Sequence, residues 1–481
     1  MVGMLVFRFG GQAITFLIIA LLARNLGPEQ FGLYSTLTIF ISFCAILLTP
    51  SLNDLLIRET LNSQIFAKSG EGTIANALSI GYGLRISLAI ISFTIAILVG
   101  PLLGLEGLNI GLFAIAGVSL FTSLTTPSVR AAYDVPLQLD YRMDRAAAIN
   151  FAGRAILLSA LATGIILHAN LTGIITSQII GEVVAFALLL FLLNHSHYTI
   201  APSFKLYEIK AIALLAAPLI LAEAFTVTYT RLDVLLLNLF IDAREAGIFA
   251  GPLRIIDGLQ IIPTVFLGTL IPVLNRLRNQ SDESFKRSIS LSARALWLLG
   301  IICAVSIAPF SDIIIKAFLG AEFGDSTILL KIGVFCAPLI FVGTLIPAIL
   351  IVQGKPNLIA LFYFFLAVIS ICLNLILIPK YGATGAIYAK LITYAAIYPL
   401  TLIWIASRYI CWTLVSQGVI PFALSIFASY HLQRLNLPMI WGLPAILLLC
   451  LALIWYTGWF GRKQLSELKD LFTGRTSAEL N

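Results

Sequence analysis

Apolar runs as long as a bilayer is thick recur along this chain from one end to the other. Residues 108–126, 146–167, 291–309 and 358–378 carry few charges, and a helix needs about 20 mostly apolar residues to cross the hydrocarbon core. Of the 481 residues, 59% are hydrophobic and 11% charged, against roughly 25% charged in a soluble domain. A water-soluble fold is excluded, and no stretch is left for a large soluble domain. Met1 leads within a few residues into the first apolar run, with no basic segment or small-residue cleavage site before it. That run is expected to be a retained helix, not a signal peptide.

Apolar runs between polar, Pro and Gly breaks place helices near 4–24, 31–50, 78–100, 108–128, 146–168, 171–193, 211–240, 245–274, 288–310, 326–352, 357–378, 383–407, 410–430 and 438–460. The expectation is an all-α polytopic membrane protein of about fourteen transmembrane helices. With a cytoplasmic N-terminus, the inner segments hold 17 Lys and Arg residues, and the outer segments hold Arg24, Arg244, Lys316, Lys380 and Arg434. This is the asymmetry of the positive-inside rule. It puts both termini in the cytoplasm and accounts for the net charge of +7 without nucleic acid as a partner.

A faint internal repeat runs through the chain. Glu29-Gln30-Phe31-Gly32-Leu33-Tyr34-Ser35 is echoed by Glu245-Ala246-Gly247-Ile248-Phe249-Ala250, with the glycines 215 residues apart. Thr172-Gly173-Ile174-Ile175 is echoed by Thr384-Gly385-Ala386-Ile387, at an offset of 212. Two similar offsets at corresponding helices argue for two six-helix halves in the same orientation, a plan on which transporters place the substrate between the halves. The expected organisation is a lobe over 1–200, a lobe over 201–408, and two further helices with a cytoplasmic tail over 409–481.

Nothing in the chain calls for a cofactor or a metal. The six cysteines stand singly in apolar runs with no CxxC, as core residues do. His195 and His197 have no acidic or cysteine companion, so they read as solvated loop residues and not as metal ligands. The Asn170-Leu171-Thr172 sequon lies in a connector of a few residues. There is no P-loop and no GxSxG, which removes the usual signs of an ATP motor or a serine hydrolase. An enzyme is not expected, because the longest outer connector, about 310–325, is too short for a membrane-embedded polymerase or glycosyltransferase.

At Ala23-Arg24-Asn25-Leu26-Gly27-Pro28-Glu29-Gln30-Phe31-Gly32-Leu33-Tyr34 the chain resembles the polysaccharide flippases (Wzx-type) of the MOP exporter superfamily, whose first helix ends in a similar R-x-LGP-x-x-FG-x-Y turn. The resemblance extends to Tyr229-Thr230-Arg231-Leu232-Asp233, to the turn at 245–250 and to Lys380-Tyr381-Gly382-Ala383-Thr384-Gly385-Ala386. It implies two six-helix lobes of MATE-like fold in a V around a central cavity, exchanging inward-open and outward-open states. The implied substrate is a polyprenyl-pyrophosphate oligosaccharide crossing the cytoplasmic membrane for cell-surface polysaccharide, lipopolysaccharide or O-antigen synthesis. The implied partners are that lipid-linked oligosaccharide, membrane lipid, and the polymerase or ligase machinery. Each unpaired polar group of the head costs several kcal/mol in hydrocarbon, so a cationic, water-filled cavity is required while the lipid tail stays in the bilayer.

The chain supplies such cations. Arg8, Arg154, Arg231, Arg254 and Lys390 fall within expected spans and are the candidate cavity ligands; Glu182, Glu223, Asp233 and Asp257 are candidates for coupling or ion pairing. At about 2.5–3.5 kcal/mol for each charge on insertion scales, these side chains are not expected to face lipid. Arg231 and Arg254 each lie about nine residues from an outer helix end, roughly 14 Å deep at 1.5 Å per residue, where two guanidinium groups clasp a phosphate bidentately. Arg254 and Asp257 share a face, so an ion pair is the second reading of Arg254, and Arg231 is the freer cation. Arg8, Gln12 and Thr15 make one polar stripe, with snorkelling of Arg8 to the nearby surface as the alternative. Asn150 with Arg154, and Gln178 with Glu182, each share a helix face, so Arg154 and Glu182 are candidates to pair. Arg85 is expected at an interface.

The main rival is a MATE-type cation-coupled multidrug exporter, which needs a carboxylate in the first-lobe helices. The first helix has none, the cavity candidates are mainly basic, and two helices are extra. Closer still are peptidoglycan-precursor and teichoic-acid flippases, which share the fold.

Overall fold

The computed structural model describes residues 2–49, 52, 53, 55, 74–105, 107–124, 126–139, 143–193, 201–355 and 357–401. No strand occurs among them. Among the described residues, eight helices are long and apolar enough to cross a membrane, nine if the bent pair Ser326–Gly333 and Cys336–Val352 counts as one span. The chain is an all-α polytopic membrane protein. Its main elements are α1 (Val2–Cys44), α2 (Ile74–Val99), α3 (Ile110–Gly117), α4 (Ser119–Thr122), α5 (Met143–Ile166), α6 (Leu171–Leu193), α7 (Leu206–Phe240), α8 (Ala243–Gly258) and α9 (Ile261–Gln280). They continue with α10 (Asp282–Ile307), α11 (Ser311–Phe318), α12 (Ser326–Gly333), α13 (Cys336–Gly343), α14 (Leu345–Val352) and α15 (Asn357–Thr401). The expected helices at 410–430 and 438–460 lie outside the described residues.

Two of these elements are pairs of arms joined at a glycine. α1 breaks at Gly27 (φ 68°, ψ 174°), with Pro28 opening the second arm where its missing N–H is no loss. α15 breaks at Gly382 (φ 56°, ψ −136°), a conformation that only glycine adopts cheaply. The second arm of α15 then runs back beside the first: a Cβ on Gly385 would lie 2.2 Å from the carbonyl oxygen of Leu377.

Other breaks fall where proline chemistry puts them. Proline clashes with the carbonyl four residues earlier and offers no N–H. The expected span 245–274 divides after Gly258, four to five residues before Pro263. The span 326–352 divides at Val334–Phe335 and at Thr344, four and three residues before Pro338 and Pro347 respectively. The span 108–128 stops at Thr122, with Ser123 extended at ψ 142°, ahead of Pro127. The bend before α13 is seated on α10, where a Cβ on Gly300 would lie 2.4 Å from Pro338 Cα. Pro218, Pro252 and Pro272 are instead carried inside their helices.

The chain divides between Ala250 and Gly251 into two compact units. In the first, the two echoing turns meet. A Cβ on Gly32 would lie 1.7 Å from the carbonyl oxygen of Ala243, and a Cβ on Gly247 would lie 1.8 Å from that of Pro28. Ala243 and Pro28 each lie four residues before the glycine of their own turn. Each turn therefore presses its glycine against the same place in the other, which is the signature of a two-fold relation. Asn238 Nδ2 donates to Thr36 Oγ1 at 3.0 Å beside this contact.

Candidate functional site

Among the described residues of the first unit, buried polar groups gather in three clusters. The first is built on Arg85 of α2, which is fully buried. Its guanidinium donates to the carbonyls of Leu48 (3.1 Å), Thr49 (3.2 Å) and Ser128 (2.9 Å) and to Asn53 Oδ1 (2.7 Å). Leu48 and Thr49 close the segment ahead of Pro50 and Ser128 opens the turn after Pro127; the Thr49 and Ser128 carbonyls also accept from the Leu52 and Ala131 N–H groups. Arg85 is thus an internal cap joining two chain breaks and not the interface anchor expected from its position. Arg278 plays a similar part in the second unit, donating to the carbonyls of Val352 and Gln353 at the end of α14.

The second cluster surrounds Arg130 in the Val129–Asp134 turn. Arg130 is 3% exposed. It donates to Asn150 Oδ1 at 2.8 Å and pairs with Asp134 at 3.8 Å. Burial pushes the Asp134 carboxyl up from the usual carboxylate range, and the neighbouring Arg130 charge draws it part of the way back. Tyr133 of the same turn stacks on Tyr82 of α2, with ring centroids 4.2 Å apart.

The third cluster holds Glu182, the midpoint of α6 and fully buried. Oε1 accepts from Ser123 Oγ and Gln178 Nε2, both at 3.2 Å, and Thr122 Oγ1 lies 3.5 Å from Oε2. Gln178 is oriented by Tyr34 of α1, whose hydroxyl donates to Gln178 Oε1 at 2.7 Å. Beside these groups is a cavity of about 20 Å³ whose polar wall is Tyr34, Thr38, Ser119, Ser123, Thr126 and Gln178, room for a single water. The expected pairing of Glu182 with Arg154 does not occur: hydroxyl and amide donors take the carboxylate's place for a cation. Gln178 and Glu182 stand out in sequence by their spacing of four. Thr122, Ser123 and Tyr34 do not, since single small polar residues in apolar runs carry no pattern; the tyrosine of the R-x-LGP-x-x-FG-x-Y turn is the one hint.

Arg154 of α5 is half-buried, and its Nε is enclosed with no hydrogen-bond partner among the described residues. It lies against α1 where Gly11 makes room, since a Cβ there would come within 3.2 Å of its Nη1. Neighbouring Phe151 packs likewise over Gly10 and Phe7. The side chain of Arg8, on the same helix, lies outside what the structure describes. On α7, Glu223 and Arg231 are half-buried and Asp233 is buried, its Oδ1 accepting from the Val234 N–H at 2.9 Å. Arg231 and Asp233 both have interaction partners, so Arg231 is not left unengaged.

In the second unit, Arg254 and Asp257 on α8 are half-buried and each has partners; Asp257 also accepts weakly from Gln260 Nε2 at 3.4 Å. Lys390, in the second arm of α15, is 5% exposed, with its Nζ 6.0 Å from the centre of the Tyr394 ring. In the first arm, buried Asn374 donates to the carbonyl oxygen and to Oγ of Ser370, while its own Oδ1 has no partner among the described residues. No group of His, Cys, Asp and Glu residues suited to a metal ion occurs among the described residues.

A family model described as polysaccharide biosynthesis protein matches residues 21–328. A search of curated protein sequences finds no match. By structure the chain is similar to the lipid II flippase MurJ in an inward closed conformation, with a TM-score of 0.70 and 14% identity over 95% of this chain and 99% of that one. It is also similar to an inward-facing multidrug resistance MATE family transporter of the MOP superfamily, with a TM-score of 0.60 and 14% identity over 86% and 95% of the two chains. A third similar structure is a MOP superfamily transporter from Pyrococcus furiosus with a binding pocket of reverse polarity, at a TM-score of 0.54 and 12% identity over 85% and 95%. At such identities the likeness establishes the fold.

Proposed function

The chain belongs to the polysaccharide biosynthesis protein family, and from that membership we propose that it flips a polyprenyl-pyrophosphate oligosaccharide across the cytoplasmic membrane by alternating access. In this reading, the two lobes are 1–200 and 201–408, both termini are cytoplasmic, and the product feeds surface polysaccharide synthesis, with a polymerase or ligase downstream. The observation that supports it most directly is Arg154: a guanidinium held within a membrane span beside glycine, with an enclosed N–H that no carboxylate or carbonyl meets among the described residues. Such a donor suits an anion that comes and goes, as a pyrophosphate does. In this reading Arg8, Arg231, Arg254 and Lys390 are the further cationic ligands, and Glu182, Glu223, Asp233 and Asp257 serve in coupling or ion pairing.

The test is flipping of a fluorescent undecaprenyl-pyrophosphate oligosaccharide in proteoliposomes. A charge-assisted hydrogen bond is worth about 1.5–3 kcal/mol, so Arg154→Ala is expected to slow flipping by about tenfold or more, and Arg154→Lys to recover part of it. Arg231→Ala combined with Arg254→Ala is expected to slow flipping further while the protein stays folded. A wild-type chain that ignores the lipid and exports cationic dyes overturns the reading in favour of a drug exporter. Preference for lipid II or a teichoic-acid precursor over the oligosaccharide lipid redirects it to a related flippase.

A further inference from the structure

Glu182 stands apart from the cation path, and its hydrogen bonds are uneven. Oε1 has two donors, Ser123 Oγ and Gln178 Nε2. Oε2 has only Thr122 Oγ1 at 3.5 Å, and that hydroxyl is also 3.4 Å from the carbonyl oxygen of Val118. A hydroxyl has one proton to give. If Thr122 spends it on Val118, Oε2 is bare, and a bare anionic oxygen at mid-membrane is the costliest arrangement available to the site. A proton on Oε2 removes the conflict: Oε2–H donates to Thr122 Oγ1, Thr122 donates to Val118, and every group is met.

We propose that Glu182 is a proton-binding site of the transport cycle, loaded and unloaded through the adjoining cavity that its partners Ser123 and Gln178 line. The proposal rests on the flippase reading for what is transported, but the chemistry of the site stands alone. The carboxylate takes a proton from hydronium in the cavity, forming the Oε2–H bond and leaving water; release runs the same step backwards. Val118 lies at the joint between α3 and α4, so the proton decides how α6 is tied to that joint. The titratable and charged groups on the elements packed against α6 are Arg130, Tyr133 and Asp134 of the turn, Asp144, Arg145 and Arg154 of α5, and Arg8, Arg24, Glu29, Tyr34 and Cys44 of α1. Arg130 acts on Glu182 through its field and Tyr34 through Gln178; the structure gives Glu182 no ion pair among the described residues.

The experiment uses the full chain in proteoliposomes. Infrared difference spectra across a pH titration are expected to show a protonated-carboxyl band that disappears as pH rises and is absent from Glu182→Gln. Thr122→Val removes the acceptor of that proton, so the band is expected to be lost at lower pH than in wild type; if Thr122 serves instead as donor to a carboxylate, the shift has the opposite sign and the proposal falls. In the transport assay, wild-type flipping is expected to change several-fold with an imposed pH gradient, and Glu182→Gln to flip without responding to it. A Glu182→Gln variant that keeps the pH-gradient response, or a carboxyl band that never titrates, overturns the proposal. If the wild type flips no oligosaccharide lipid, the flippase reading fails, and the infrared titration still decides the role of Glu182.

Discussion

A single side chain sets the tolerance of several positions. Arg85 meets four acceptors from two nitrogens. A buried acceptor left unmet costs about 1–3 kcal/mol, so Arg85→Leu is expected to remove most folded protein, seen as loss of the monodisperse peak in detergent. Arg85→Lys should not rescue it, because a compact ammonium cannot replace the guanidinium fork. Gly32 is constrained by space: Gly32→Ala forces a backbone shift and is expected to lower the melting temperature by several degrees, whereas Gly268→Ala, which would meet nothing within 4 Å, should leave it unchanged or slightly raised. Sequence located Arg154, Glu182 and Gln178 through charge in apolar runs and helical spacing. It misplaced Arg85, because burial of an arginine is decided by carbonyls and amides that distant chain breaks bring to it, and no local pattern records those.

At the scale of elements, breaks were the most legible feature. Pro127, Pro263, Pro338 and Pro347 mark interruptions three to five residues upstream, and Gly27 and Gly382 mark the sharp turns. What local sequence withholds is which prolines are absorbed, as Pro218, Pro252 and Pro272 are, since neighbouring helices decide whether freed carbonyls find partners. The returning arm of α15 gives a test. Gly385→Ala puts a methyl group into the Leu377 carbonyl, and the two arms must separate. Overpacking of this kind costs about 1–3 kcal/mol or more, and the variant is expected to melt at lower temperature and to be cleaved faster by protease in detergent than the wild type.

For the whole molecule, charge asymmetry carries a topological prediction. In a cysteine-free background, Lys380→Cys should react with a membrane-impermeant thiol reagent added outside cells and Lys355→Cys should not; both side chains are exposed. Reversal of that pattern would invert the orientation. The echo of 29–35 in 245–250 is short in sequence, and in the fold its two turns touch, Gly32 against Ala243 and Gly247 against Pro28. That contact has a further consequence for how the chain can change over time. A patch that matches its own copy is what joins the partners of a symmetric homodimer, and the two turns make such a reciprocal contact within one polypeptide. In a true homodimer one substitution alters both sides together; here the two turns are encoded separately. A side chain added to either glycine meets an unaltered partner, so the two turns must evolve in step or not at all.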